Sequence, residues 1–265
     1  MTAVQQPVLT AEQLELRARL GAGARYDAAA APHEDLLLAR QGTAYFLRKL
    51  QELRDQDFDA PSRLDGWSHR HLIAHVGYNA RGLARLVEWA RTGVETPMYT
   101  SAEQREREIV HGATLPDRAL RHLVDHAVVH LNVEWRDLED AQWDHRVTTA
   151  QGREVPVRET AWMRAREVWV HAADLGSGGS FDDLPPALLD RLIDDVLAAW
   201  RRRGEEISLT VAATDRSGDR HVRALGDGGP EVSGTAAAIA GWLARGEAHG
   251  LRCSSGEVPA VPRWF

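Results

Sequence analysis

The chain has 265 residues, 43% of them hydrophobic and 27% charged, with 32 Lys+Arg against 39 Asp+Glu and a formal charge of −7. That length accommodates one or two domains with real cores, and the composition excludes wholesale disorder. The acidic balance argues against a general nucleic-acid or anionic-membrane binder. Cys253 is the one cysteine, so an internal disulfide framework and a thiolate zinc knuckle are both excluded, and a reducing cytoplasm is the expected compartment. No apolar run approaches the roughly 18 residues needed to span a bilayer. The opening MTAVQQPVLT does not read as a secretory signal, which needs a basic and then an apolar segment. Lys49 is the only lysine, a coding bias that names no partner.

Residues 1–32 read as a peripheral, disordered arm, with Thr10 and Gln13 able to form a capping box for a short helix over Ala11–Leu20. From Glu34 the apolar positions Leu37, Phe46, Leu47, Leu50 and Leu53 recur at helical spacing. A second long helix starts after Ser68, a good N-cap, and carries Leu72, Val76, Asn79, Leu83, Leu86 and Val87. A third runs from about Pro116 to Leu138, and a fourth from near Pro156 to just before Gly176. Four long helices with short connections describe a bundle, and residues 33–177 are assigned to it. The longer Gly93–Gly112 link is expected to be an irregular lid or crossover.

The Gly176–Ser180 stretch reads as a linker. Beyond it a helix is expected over Pro185–Arg201, strands near Ile207–Val211, Arg220–Leu225 and Glu231–Ser233, and a helix over Thr235–Arg245. The fold class is therefore α+β in two domains, a helical bundle followed by a smaller α/β domain over residues 180–265.

Glu167 and His171 are four apart and share one helix face. His75 falls in register with the apolar stripe of the second helix, so it points inward. Two histidines and a carboxylate converging from two helices suit a divalent metal. The alternative is ordinary: an inward histidine is often a hydrogen-bonded core residue, and Glu-x-x-x-His recurs on exposed faces by chance. His122, His126 and His130 form an i, i+4, i+8 ladder that reads as a polar face, and His69 and His71 are expected to be partly exposed. Cys253 reads as a buried structural thiol, and Trp67, Trp162, Trp169 and Trp200 as core.

The run Gly66-Trp67-Ser68-His69-Arg70-His71-Leu72-Ile73-Ala74-His75-Val76-Gly77-Tyr78-Asn79 resembles the first metal-ligand segment of the mycothiol-dependent maleylpyruvate isomerases. Glu95-Thr96-Pro97-Met98-Tyr99 is similar to the loop that follows it, and Thr160–Gly176 to the second ligand helix. The tail Ser254–Pro259, ending Pro262-Arg263-Trp264-Phe265, is similar to the family's C-terminus. The resemblance covers about residues 35–265. It implies a DinB-like metal-binding bundle, zinc held by His75, Glu167 and His171, and a catalytic arginine matching Arg245. By itself Arg245 reads as a helix C-terminal cation before Gly246.

The reaction implied is isomerisation of cis maleylpyruvate to trans fumarylpyruvate in aromatic degradation, with mycothiol and a small-molecule substrate as the only partners. No nucleic acid or membrane is implied, and the chain is compatible with a monomer. A thiolate adds to the double bond, the bond rotates, and the thiolate leaves unchanged. Cys253 is not needed, because the thiol comes from mycothiol. Alternatives are a mycothiol S-transferase that keeps the adduct, a non-haem iron oxygenase using the same His/His/carboxylate set, and a non-catalytic zinc or thiol sensor.

Overall fold

A computed structural model describes residues 11–20 and 25–264. Thr10, and with it the expected capping box, lies outside them. The helices are α1 Ala11–Leu20, α2 His33–Glu52, α3 His69–Thr92, α4 Ala102–Ala113 and α5 Asp117–Arg136. A short hairpin follows, β1 Arg146–Thr148 and β2 Glu154–Pro156, and then α6 Glu159–Asp174 and α7 Pro186–Arg203. The chain continues through β3 Leu209–Ala213, β4 Val222–Leu225, β5 Glu231–Gly234, α8 Ala236–Arg245 and β6 Arg252–Cys253. A helical N-terminal region followed by a mixed sheet with helices makes the fold α+β. No described helix is long and apolar enough to cross a membrane.

The described residues form two compact units. The first comprises those up to Arg40, Asp55–Pro61 and Gly66–Ala165. Its centre is α3, buried on every side from Leu72 to Ala80, which is where an all-round small and apolar surface belongs. Gly77 lets α5 approach, since a Cβ there would stand 3.0 Å from Leu123 Cγ. Two polar pins cross this core. Arg164, 1% exposed, donates from Nη1 to Val76 O and Asn79 Oδ1, and Trp135 Nε1 donates to Thr160 Oγ1 at 3.0 Å. The end of the N-terminal arm is tied down rather than loose: Arg40 pairs with Asp27, and Arg25 with Asp137.

The Gly93–Gly112 link is not irregular throughout, because α4 occupies its second half. Ser101 caps α4 by accepting from Gln104 N, while the Gln104 side chain accepts from Thr100 N. Such reciprocal capping satisfies the free donors of a helix start. Gly112 then presses α4 onto α3, with Ala74 and Tyr78 against it.

The second unit comprises Gln41–Arg54, Ser62–Asp65 and the chain from Arg166 on. Its sheet has the order β4-β3-β5-β6, with β3–β5 parallel and the outer pairs antiparallel. Val211 lies opposite Val232 at the centre, and both are buried. Trp200 on α7 and Trp242 on α8 are fully buried. Their indole N–H groups donate to Arg263 O and Pro259 O, which fastens the C-terminal tail. The Gly176–Ser180 stretch is pinned, with Ser177 Oγ donating to Lys49 O and Gly179 packed against the Ala172 carbonyl.

Candidate metal centre

His75 is 7% exposed because α3 is buried all round. Gly66, at φ +79°, turns the chain ahead of α3 and Trp67 then meets His75 edge-on, with ring centroids 5.2 Å apart. From α4, Arg105 Nη2 donates to His75 Nδ1 at 3.3 Å.

Glu167 and His171 stack one turn apart on α6, with side chains 16% and 12% exposed and His171 Nε2 3.5 Å from Glu167 Oε1. The other ring nitrogen is committed: His171 Nδ1 lies 2.7 Å from Asp174 Oδ2. Asp174 in turn accepts from Arg245, Nε to Oδ1 at 2.8 Å and Nη2 to Oδ2 at 2.7 Å. Burial would push the Asp174 carboxyl up, but the hydrogen bonds from Arg245 and His171 outweigh it and hold it down at about 2. An ionised Asp174 only accepts, so His171 donates to it from Nδ1, and Nε2 is the ring nitrogen turned to the Glu167 carboxylate. Two electron-rich atoms 3.5 Å apart are reconciled by a proton or by a metal ion between them.

One ligand atom from each of His75, Glu167 and His171 lies within 4.8 Å of the other two, the one such group among the described residues. Two imidazole nitrogens and a carboxylate oxygen are a donor set for zinc or a neighbouring divalent metal. A tetrahedral ion with bonds of about 2.1 Å sets its ligands about 3.4 Å apart, close to the His171–Glu167 separation. The residues therefore fit a metal. The carboxylate behind His171 adds the outer support that metal-bound imidazoles usually have.

The remaining expectations divide. His122, His126 and His130 are exposed on α5, as a polar face should be. Arg166 is turned to Asp195 and lies over the Trp264 ring. His69, expected to be partly exposed, is 8% exposed because its Nδ1 is held 2.7 Å from the Asp57 carbonyl. Ser68 does stand at the α3 N-cap, but its Oγ faces His71 Nδ1 at 2.8 Å rather than a backbone N–H. Cys253, expected to be buried, is half-buried on the outermost strand β6, with Sγ 3.1 Å from Ser255 Oγ. Trp162, Trp169 and Trp200 are core, while Trp67 is half-buried beside His75. Sequence reasoning missed Asp174 and Arg105. Asp174 carries a signal, because an acid in the last turn of a helix opposes the dipole and calls for a partner.

A His/Glu/His group able to hold a metal ion, in a chain with a helical N-terminal region and a C-terminal mixed sheet, defines an α+β class with a candidate metal centre. Residues 39–176 match the model of the mycothiol maleylpyruvate isomerase N-terminal domain. Two solved structures are similar over most of the chain: a mycothiol-dependent maleylpyruvate isomerase at 44% identity, and one of its mutants at 43%. Each alignment covers 88% of this chain and 96% of the other, with a TM-score of 0.83. No curated protein matches. The chain belongs to the mycothiol-dependent maleylpyruvate isomerase family.

Proposed function

We propose that this protein is a zinc- and mycothiol-dependent maleylpyruvate isomerase, with His75, Glu167 and His171 as the metal ligands. The observation that carries the reading is the aim of His171: Nδ1 is spent on Asp174, which leaves Nε2 to face Glu167 at 3.5 Å. Family membership supplies the reaction.

A carbon–carbon double bond does not rotate at ambient temperature, so the isomerisation needs it to become single for a moment, which conjugate addition of a thiolate achieves. Held by these three residues, zinc would lower the pKa of a thiol bound to it, ordinarily ~8.5, and so supply thiolate at neutral pH. As ligands, His75 and His171 would contribute neutral nitrogens and Glu167 one negative charge, a set that would leave net positive charge toward a thiol sulfur. Asp174 holds the His171 ring in the tautomer that ligation requires.

Arg245 is the proposed catalytic cation, for the negative charge that develops on the substrate's ketone oxygen. Two of its N–H groups hold Asp174 and a third donates to the Ala244 carbonyl. The N–H groups left on Nη1 and Nη2 are the ones a substrate can meet. The test is metal content and turnover measured together in His75→Ala and His171→Ala. Both variants should lose most of their zinc and their activity in parallel. A full zinc complement by elemental analysis in both would remove the ligand assignment.

A further inference from the structure

We infer that Arg105, on α4, is the residue that recognises a carboxylate of the substrate beside the metal. The inference rests on the isomerase reading for its substrate, a keto diacid, and on the His75 geometry for its residue.

A neutral imidazole has one in-plane lone pair. Arg105 Nη2 donates to His75 Nδ1 at 3.3 Å, so that lone pair is on Nδ1 and the ring proton on Nε2. A metal held by His75 requires the same lone pair. It takes it at Nδ1 directly, or at Nε2 once the proton has moved to Nδ1. In both cases Arg105 loses its acceptor on the ring. Ligation by His75 and the Arg105–His75 hydrogen bond are mutually exclusive, and metal binding turns the guanidinium toward another acceptor.

The surroundings determine what that acceptor is. Arg105 shares a face of α4 with Ile109 and Gly112, at i, i+4 and i+7, and this face packs on α3. The close approach of Gly112 to Ala74 and Tyr78 fixes the helix there. Arg105 is itself half-buried, and among the described residues no carboxylate pairs with it. Glu108, one turn on, is taken up by Arg85 and Gln104. A guanidinium at a metal ligand without an acid of its own matches a bidentate anion brought by a ligand. It differs from Arg245, whose fork is already closed on Asp174.

The test uses the full-length, zinc-loaded protein with Arg105→Gln and Arg105→Lys. Both replacements are good helix formers at a half-buried position, so α4 is retained. Three quantities are measured: binding of maleate by calorimetry, zinc affinity by competition with a chromophoric chelator, and KM against kcat for maleylpyruvate. For Arg105→Gln, maleate binding weakens and KM rises by about tenfold or more, as loss of a charged bidentate pair entails, while kcat changes little. Arg105→Lys recovers part of the loss. Zinc affinity is equal to that of the unmodified protein or higher, since a competitor for the His75 lone pair has gone. Unchanged maleate binding and KM in Arg105→Gln overturn the inference, as does a fall in zinc affinity in both variants. Arg105-dependent maleate binding by a protein that does not isomerise would overturn the reaction and leave this inference standing.

Discussion

Arg245 grips Asp174 with two parallel hydrogen bonds of 2.8 and 2.7 Å, and Asp174 passes that hold to the Nδ1 of His171. Asp174 is 2% exposed, so the pair is shielded from the water and salt that weaken surface bridges. An arginine near the C-terminus of α8 thus acts on a proposed metal ligand of α6 through one carboxylate. Asp174→Asn keeps an acceptor but removes the charge that fixes the imidazole. It should lower zinc affinity by about 10- to 100-fold, the usual cost of losing an outer partner. Chelator competition measures this, and an unchanged affinity would show that His171 is oriented by packing alone.

The same carboxylate gives the protein an acid-sensitive contribution. Asp174 titrates at about 2 in the folded protein against an ordinary 3.8. A lowered folded value means stability that is present above pH 3.8 and lost as pH falls toward 2. The amount is about 2 kcal/mol at neutral pH by linkage. Urea midpoints measured from pH 6 to pH 2 should fall less steeply for Asp174→Asn below pH 4 than for the unmodified protein. Parallel curves would place the acid sensitivity elsewhere.

Arg245→Lys separates charge from fork. A lysine reaches one Asp174 oxygen at a time and presents no planar pair of N–H groups. Turnover should fall by about tenfold or more, with zinc still bound at one equivalent. Steady-state rates beside elemental analysis decide it, and normal turnover removes Arg245 from the chemistry.

Gly112→Ala tests how α4 is seated. The added Cβ would stand 2.6 Å from Tyr78 Cε2 and 2.8 Å from Ala74 Cβ. Overpacking of this kind costs about 1–3 kcal/mol. Because α4 carries Arg105 and none of the proposed ligands, KM should rise while zinc affinity holds. A variant with unaltered stability and KM would mean that the helix pair absorbs the methyl group.

Much of this was legible beforehand, for physical reasons that differ by element. Helices α2, α3, α5 and α6 each repeat apolar residues at helical spacing over sixteen residues or more, and His75, Glu167 and His171 could be put on their faces by counting. Helix α4 was not legible, because in AEQREREIVHGA only Ile109, Gly112 and Ala113 are buried and no stripe forms. Strands β1 and β2, at three residues each, are too short for alternation to register. The burial of His69 depends on a hydrogen bond to Asp57, twelve residues away, through a turn that pattern alone does not describe. Arg245 was identified as a cation, but its partner was not, since Asp174 lies 71 positions earlier in the chain.

The most direct test of the account is to follow maleylpyruvate by ultraviolet absorbance with zinc-loaded protein and mycothiol, then glutathione, then no thiol. Conversion to fumarylpyruvate is expected with mycothiol alone, over many turnovers, with the thiol recovered in full. No conversion by protein shown to hold zinc, or one thiol consumed per substrate as in a transferase, would contradict it.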